Sequence, residues 1–115
     1  MIYLYDYPND LLKKMEYGII LSDEETAFPM RMVNQIMGII SDRKWVVLGG
    51  DILTNELKYT YDSWFYDVDS NISLFQNVSQ SVQKCKQYLK EYESIHGSDY
   101  LIAFTISSTY TNGIV

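Results

Sequence analysis

The chain predicts an α+β fold: a small, mainly antiparallel sheet, built from a β-hairpin and a C-terminal strand, packed against three helices. Three observations carry that reading. Phe75, Val78, Val82, Cys85, Leu89 and Tyr92 recur at intervals of three and four, the period of an amphipathic helix. Two β-branched and aromatic runs, 44–53 and 57–66, flank the turn Thr54-Asn55-Glu56 and so form a hairpin. The run 100–106 is apolar on both faces, as a central buried strand is.

In chain order, 2–7 alternates three tyrosines with Ile, Leu and Asp and reads as a short edge strand or an ordered arm, which Pro8-Asn9 ends. Asn9 can cap a short helix over 9–16 that buries Leu11, Leu12 and Met15 and stops at Gly18. A second helix is expected to start near Thr26. Ser22 and Glu25 have capping-box spacing, but a start there would place Pro29 deep enough to break a backbone bond, whereas Thr26 leaves it in the first turn. Met30, Val33, Ile36, Met37 and Ile40 form that helix's apolar stripe.

In the first hairpin strand, Gly49-Gly50 predicts a bulge or a close backbone approach. In the second, Leu57, Tyr59, Tyr61, Ser63 and Phe65 share one face, and Lys58, Thr60, Asp62, Trp64 and Tyr66 share the other. The first set is the more apolar and is expected to face the core. The third helix ends before Gly97, and 107–115 is a polar tail. With no repeat and no linker, 1–115 reads as one domain, 1–8 being the arm or edge strand and 108–115 the tail.

Composition excludes several functions. Nine Lys and Arg against fifteen Asp and Glu give a net charge of −6, which repels phosphate backbones, so nucleic acid is not an expected partner. No apolar run reaches the roughly 20 residues of a membrane span, and the N-terminus lacks a basic signal-peptide region. One cysteine and one histidine cannot build a disulfide, a Cys-x-x-Cys knuckle or a histidine-rich zinc site, so no metal and no cofactor is expected. The lone thiol fits a reducing setting, and the expected location is cytoplasmic.

Catalysis finds little support. Cys85 and His96 lie on nearly the same face of one helix but about 16 Å apart along its axis, beyond hydrogen-bond reach. Cys85 reads as a buried small hydrophobe, and His96 as a cation at a helix C-terminus. Asp51, Asp62, Asp67 and Asp69 offer acid pairs for a carboxylate-dependent hydrolase, although an acidic cluster without a pocket reads as a solvated face. Asp67-x-Asp69-x-Asn71 lacks the later glycine and glutamate of a calcium loop. Gly49-Gly50-Asp51 matches no phosphate-binding glycine pattern.

Seventeen aromatics, eleven of them tyrosine, suit protein recognition as well as a small core. The motifs fit a known family. Val46-Val47-Leu48-Gly49-Gly50-Asp51, then Tyr59-Thr60-Tyr61-Asp62-Ser63-Trp64-Phe65-Tyr66, then a helix ending in Tyr88-Leu89-x-x-Tyr92, resembles the immunity protein 40 family of bacterial polymorphic-toxin gene clusters. Tyr17-Gly18-Ile19-Ile20-Leu21 is similar to that family's Gly-Ile-Ser-Leu element, so the resemblance runs from about residue 11 to residue 106. Ser63 stands where the family has asparagine.

The resemblance implies a small cytoplasmic protein, not an enzyme, that binds and neutralises a cognate toxin domain. A non-catalytic adaptor that binds a host-cell protein through the same face is the alternative. The contact surface is expected on the second hairpin strand and the turn after it: Asp62, Trp64 and Tyr66, flanked by Asp51, Glu56, Asp67 and Asp69. Residues 51–75 hold a net −4 of the total −6, so aromatic anchors ringed by acids would meet a basic partner.

Overall fold

The computed structural model describes residues 2–4, 18–22, 25–107 and 109–111. Five strands form one antiparallel sheet: β2 (Ile19–Ser22), β3 (Glu25–Pro29), β4 (Val46–Thr54), β5 (Tyr59–Phe65) and β6 (Tyr100–Ser107), in the order β2-β3-β6-β4-β5. A separate two-stranded ladder pairs β1 (Ile2–Leu4) with β7 (Thr109–Thr111). Ile2–Leu4 of the expected arm is thus a strand, and Thr109–Thr111 of the expected polar tail is its partner; residues 5–8 lie outside the described residues. Two α-helices, α1 (Val33–Asp42) and α2 (Leu74–His96), are among the described residues. The expected packing of three helices is not borne out; the helix expected over 9–16 lies outside the described residues.

The hairpin and the C-terminal strand are present as expected, with the hairpin's strands starting two residues later than expected and Leu57 and Lys58 falling in the turn. The segment from Thr26 to Pro29 is not as expected. It is strand rather than helix, and Thr26, Ala27 and Phe28 are fully buried between β2 and β6. Pro29 holds φ −56° and ψ 143°, an extended conformation that ends the strand. A single 3-10 turn over Met30–Met32 then leads into α1. Pro29 precedes the helix, so it removes no helical hydrogen bond.

α1 stops in a Schellman arrangement. Trp45 N–H donates to Ile40 C=O at 3.0 Å and Lys44 N–H to Ser41 C=O at 3.1 Å, with Lys44 taking the left-handed conformation (φ 59°) usually given to glycine. α2 starts with the reciprocal bonds of a capping box. Gln76 N–H donates to Ser73 Oγ at 3.1 Å and Ser73 N–H to Gln76 Oε1 at 3.0 Å. Gly97 closes it with φ 88°.

Both helices cover the same face of the sheet. Ile36, Met37 and Ile40 of α1 and Val82, Cys85, Leu89 and Tyr92 of α2 enclose Phe28, Val47, Ile52, Ile102, Phe104 and Ile106 in one core. Each such side chain, fully buried, contributes about 1.5–3 kcal/mol. Phe75 departs from the stripe. It sits on the first turn of α2 at 75% exposure and lines an open cavity of about 340 Å³ with Val78, Val82 and Lys44. A second, smaller cluster of Ala27, Leu53, Leu101 and Ala103 lies on the opposite face of the sheet.

Candidate functional site

The hairpin places its side chains opposite to expectation. Trp64 is 6% exposed and belongs to the core, whereas Leu57, Tyr59, Tyr61, Ser63 and Phe65 are exposed. Room and polar partners explain this. Gly50 pairs with Trp64 across the ladder, and a Cβ on Gly50 would lie 2.5 Å from the indole Cη2. Gly49 is as constrained: its φ is 153°, and a Cβ there would meet the Trp64 carbonyl oxygen at 2.3 Å. A bulge between Val47 and Gly49 accompanies the close approach. Ser81 Oγ accepts from the Val47 N–H at 3.1 Å. The glycine pair is therefore the seat of the tryptophan.

The rest of the motif clamps β5 onto α2. Trp64 stacks on Tyr88 with ring centroids 5.0 Å apart, and Tyr88 stacks on Tyr92 at 6.1 Å. Tyr92 hydroxyl donates to Asp62 Oδ2 at 2.8 Å, and Tyr66 hydroxyl donates to Asn77 Oδ1 at 2.7 Å. Asn77 is fully buried and also holds the connection between β5 and α2. It accepts from Asp69 N–H at 2.9 Å and donates to the Asp69 carbonyl at 2.9 Å. Because Tyr92 satisfies its polar tip on Asp62 at the rim, its ring packs in the core at no hydrogen-bond cost. Trp64 Nε1 is the exception, buried without a partner among the described residues.

What remains outside is an aromatic and acidic ridge along β5, an edge strand of the sheet. Tyr61 is 93% exposed and Phe65 66%, with Tyr59 and Leu57 about half as open as Tyr61. Tyr59 hydroxyl donates to Glu25 of β3, and that bond, with burial and the charges of Glu25 and Asp51, pushes Tyr59 up to about 12. Burial, and then the charge of Glu25, raises Asp51 above the usual carboxylate range. Lys84 Nζ lies 5.3 Å from the Phe65 ring centroid.

Of the seven residues expected to contact a partner, Glu56, Asp62, Asp67 and Asp69 are exposed. Asp51 and Tyr66 are half-buried, and Trp64 is interior. Sequence reasoning passed over Tyr59, Tyr61 and Phe65 as surface residues because it counted them as core. It also passed over the buried Asn77 and Ser81. Their signal was present, since both fall one helical turn apart beside Val78 and Val82 on the apolar side.

The cysteine and the histidine considered for catalysis are occupied otherwise. Cys85 is fully buried, and burial pushes its thiol up to about 12. His96 packs its ring against Tyr92, centroids 4.4 Å apart. Among the described residues, no group of three or more His, Cys, Asp and Glu side chains could hold a metal ion. No described helix is long and apolar enough to cross a membrane.

Comparison with protein families gives one finding. The family described as Immunity protein 40 matches residues 12–106. Comparison with curated proteins and with solved structures gives no match. The matched span takes in the glycine pair, the Trp64 clamp and both helix partners of that clamp, the parts on which the hairpin's geometry depends. The chain belongs to the immunity protein 40 family.

Proposed function

We propose that this protein binds a toxin domain and neutralises it by occluding it, with no chemistry of its own. Membership in an immunity protein family supports the partner class. The observation that carries the contact surface is the exposed side of β5. Leu57, Tyr59, Tyr61 and Phe65 stand open on a hairpin that also exposes Glu56 and Asp62, with Asp67 and Asp69 exposed in the connection after it, while the remaining aromatics of the motif are consumed by the clamp. Large rigid rings give affinity at an interface, and acids around them give fast association with a basic partner.

This reading keeps the hairpin as the contact element but moves the aromatic anchors to the other side of the strand. Glu56, Asp62, Asp67 and Asp69 keep their role. Trp64 and Tyr66 are positioning residues, because one carries the stack on Tyr88 and the other the bond to Asn77.

The direct test is to take a toxin domain found encoded beside this gene, inactivate it at its own catalytic residue and copurify it with this protein. A stoichiometric complex is expected, with an association rate that falls steeply as salt is raised from 50 to about 500 mM, since steering is screened over the Debye length. Absence of a complex at low salt would contradict the reading.

A further inference from the structure

Among the described residues, three that are not glycine hold a positive φ: Lys44, Leu57 and Tyr61. Lys44 is explained by the helix stop described above. The other two are both large hydrophobics, both on the hairpin, and both exposed, Leu57 at 42%. Leu57 takes the left-handed position at the end of the turn, where Thr54 N–H donates to Lys58 C=O at 2.8 Å. Glycine or asparagine is the residue such a position favours.

Tyr61 is the sharper case. An aromatic side chain at φ 68° in a strand is a backbone outlier, and such residues persist only where the surroundings hold them. Here they do. Between the pairs Asp51↔Ser63 and Leu53↔Tyr59, three residues of β5 face one of β4, so the strand bulges at Tyr61. Thr60 Oγ1 donates to Ile52 C=O at 2.9 Å and accepts from Asp62 N–H at 3.1 Å. Asp62 is fixed in turn by the Tyr92 hydroxyl. Both neighbours of Tyr61 are tied down and its own ring touches almost nothing. Folding gains neither backbone ease nor burial from tyrosine at this place.

We propose that Tyr61 is the anchor of the interface, a preorganised ring that enters a pocket with a basic rim on the toxin domain; the inference rests on the toxin-binding reading above. The occupant is chosen by charge. Glu56 and Asp62 stand exposed on the same hairpin, and residues 51–75 carry a net −4. Docking by addition of a partner strand to the β5 edge is the other mode an edge strand offers. The bulge interrupts that edge at its middle, which disfavours an added strand and leaves side-chain insertion.

The test uses substitutions suited to a left-handed backbone. Tyr61→Asn and Tyr61→Gly both accept φ 68° and both remove the ring, while Tyr61→Phe keeps it. Against the same inactivated toxin domain as in the copurification, Tyr61→Asn and Tyr61→Gly should weaken binding about 30-fold or more, the loss expected of an interface hot spot. Tyr61→Phe should bind within about threefold of the parent, and Tyr61→Gly should melt no lower than the parent, since it relieves the outlier. Parent-like binding by Tyr61→Asn and Tyr61→Gly overturns the anchor and leaves toxin binding standing. Failure of the parent itself to bind overturns both.

Discussion

At the scale of single residues, the hairpin turns on a glycine and a tryptophan. Gly50 is held not by its own torsions but by the indole of Trp64, which fills the space a Cβ would take. Gly50→Ala should therefore cost about 1–3 kcal/mol through overpacking, and Trp64→Ala about 3–5 kcal/mol through the cavity it leaves, both read by denaturant unfolding. If Trp64→Ala unfolds within half a kcal/mol of the parent, the indole is not in the core.

The alternation of the strand was legible in the sequence, but its sense was not. Counting apolar atoms favoured Leu57, Tyr61 and Phe65 as the inward set. What decided the matter lay on other elements. Gly50 offers a slot for one indole, and Asn77 and Tyr92 offer partners for Tyr66 and Asp62.

At the scale of elements, α2 was the most legible part of the chain. Its spacing of three and four from Val78 to Tyr92 and its Gly97 stop both appear in the structure, whereas the capping box at Ser73 was passed over. The error at β3 has a physical cause. Pro29 is compatible both with the first turn of a helix and with the last residue of a strand, and only pairing with β6 at Ala27↔Ala103 and Phe28↔Ile102 chooses between them.

The contacts between β5 and its neighbours carry a pH signature. Tyr92 is pushed up to about 12 by burial and by its bond to Asp62, and Tyr59 to about 12 by its bond to Glu25. An unfolded tyrosine ionises near 10, so between pH 10 and 12 the unfolded chain has released protons that the folded chain keeps. This stability is fully present below pH 10 and lost as the pH rises through 12. Urea unfolding across that window should show a steep loss for the parent and a shallower one for Tyr92→Phe. Equal slopes would mean that Tyr92 is not held by Asp62.

At the scale of the whole molecule, one face of the sheet carries two helices and a large core, and the aromatic ridge stands at the sheet's edge. The fold class, the hairpin and the C-terminal strand follow from local patterns. The strand order does not, because β3 and β6 pair across more than seventy residues of chain. The acidic bias of the hairpin was visible in the sequence, and the structure supplies its companion, the exposed rings of β5.

Chemical-shift mapping of the labelled protein, as the inactivated toxin domain of the copurification is added, decides whether this ridge is the contact surface. The largest perturbations are expected at Leu57, Tyr59, Tyr61 and Phe65, with smaller ones at Asp67 and Asp69. Perturbations confined to the cavity at Phe75, Lys44 and Lys86, with β5 unmoved, would contradict the ridge as that surface.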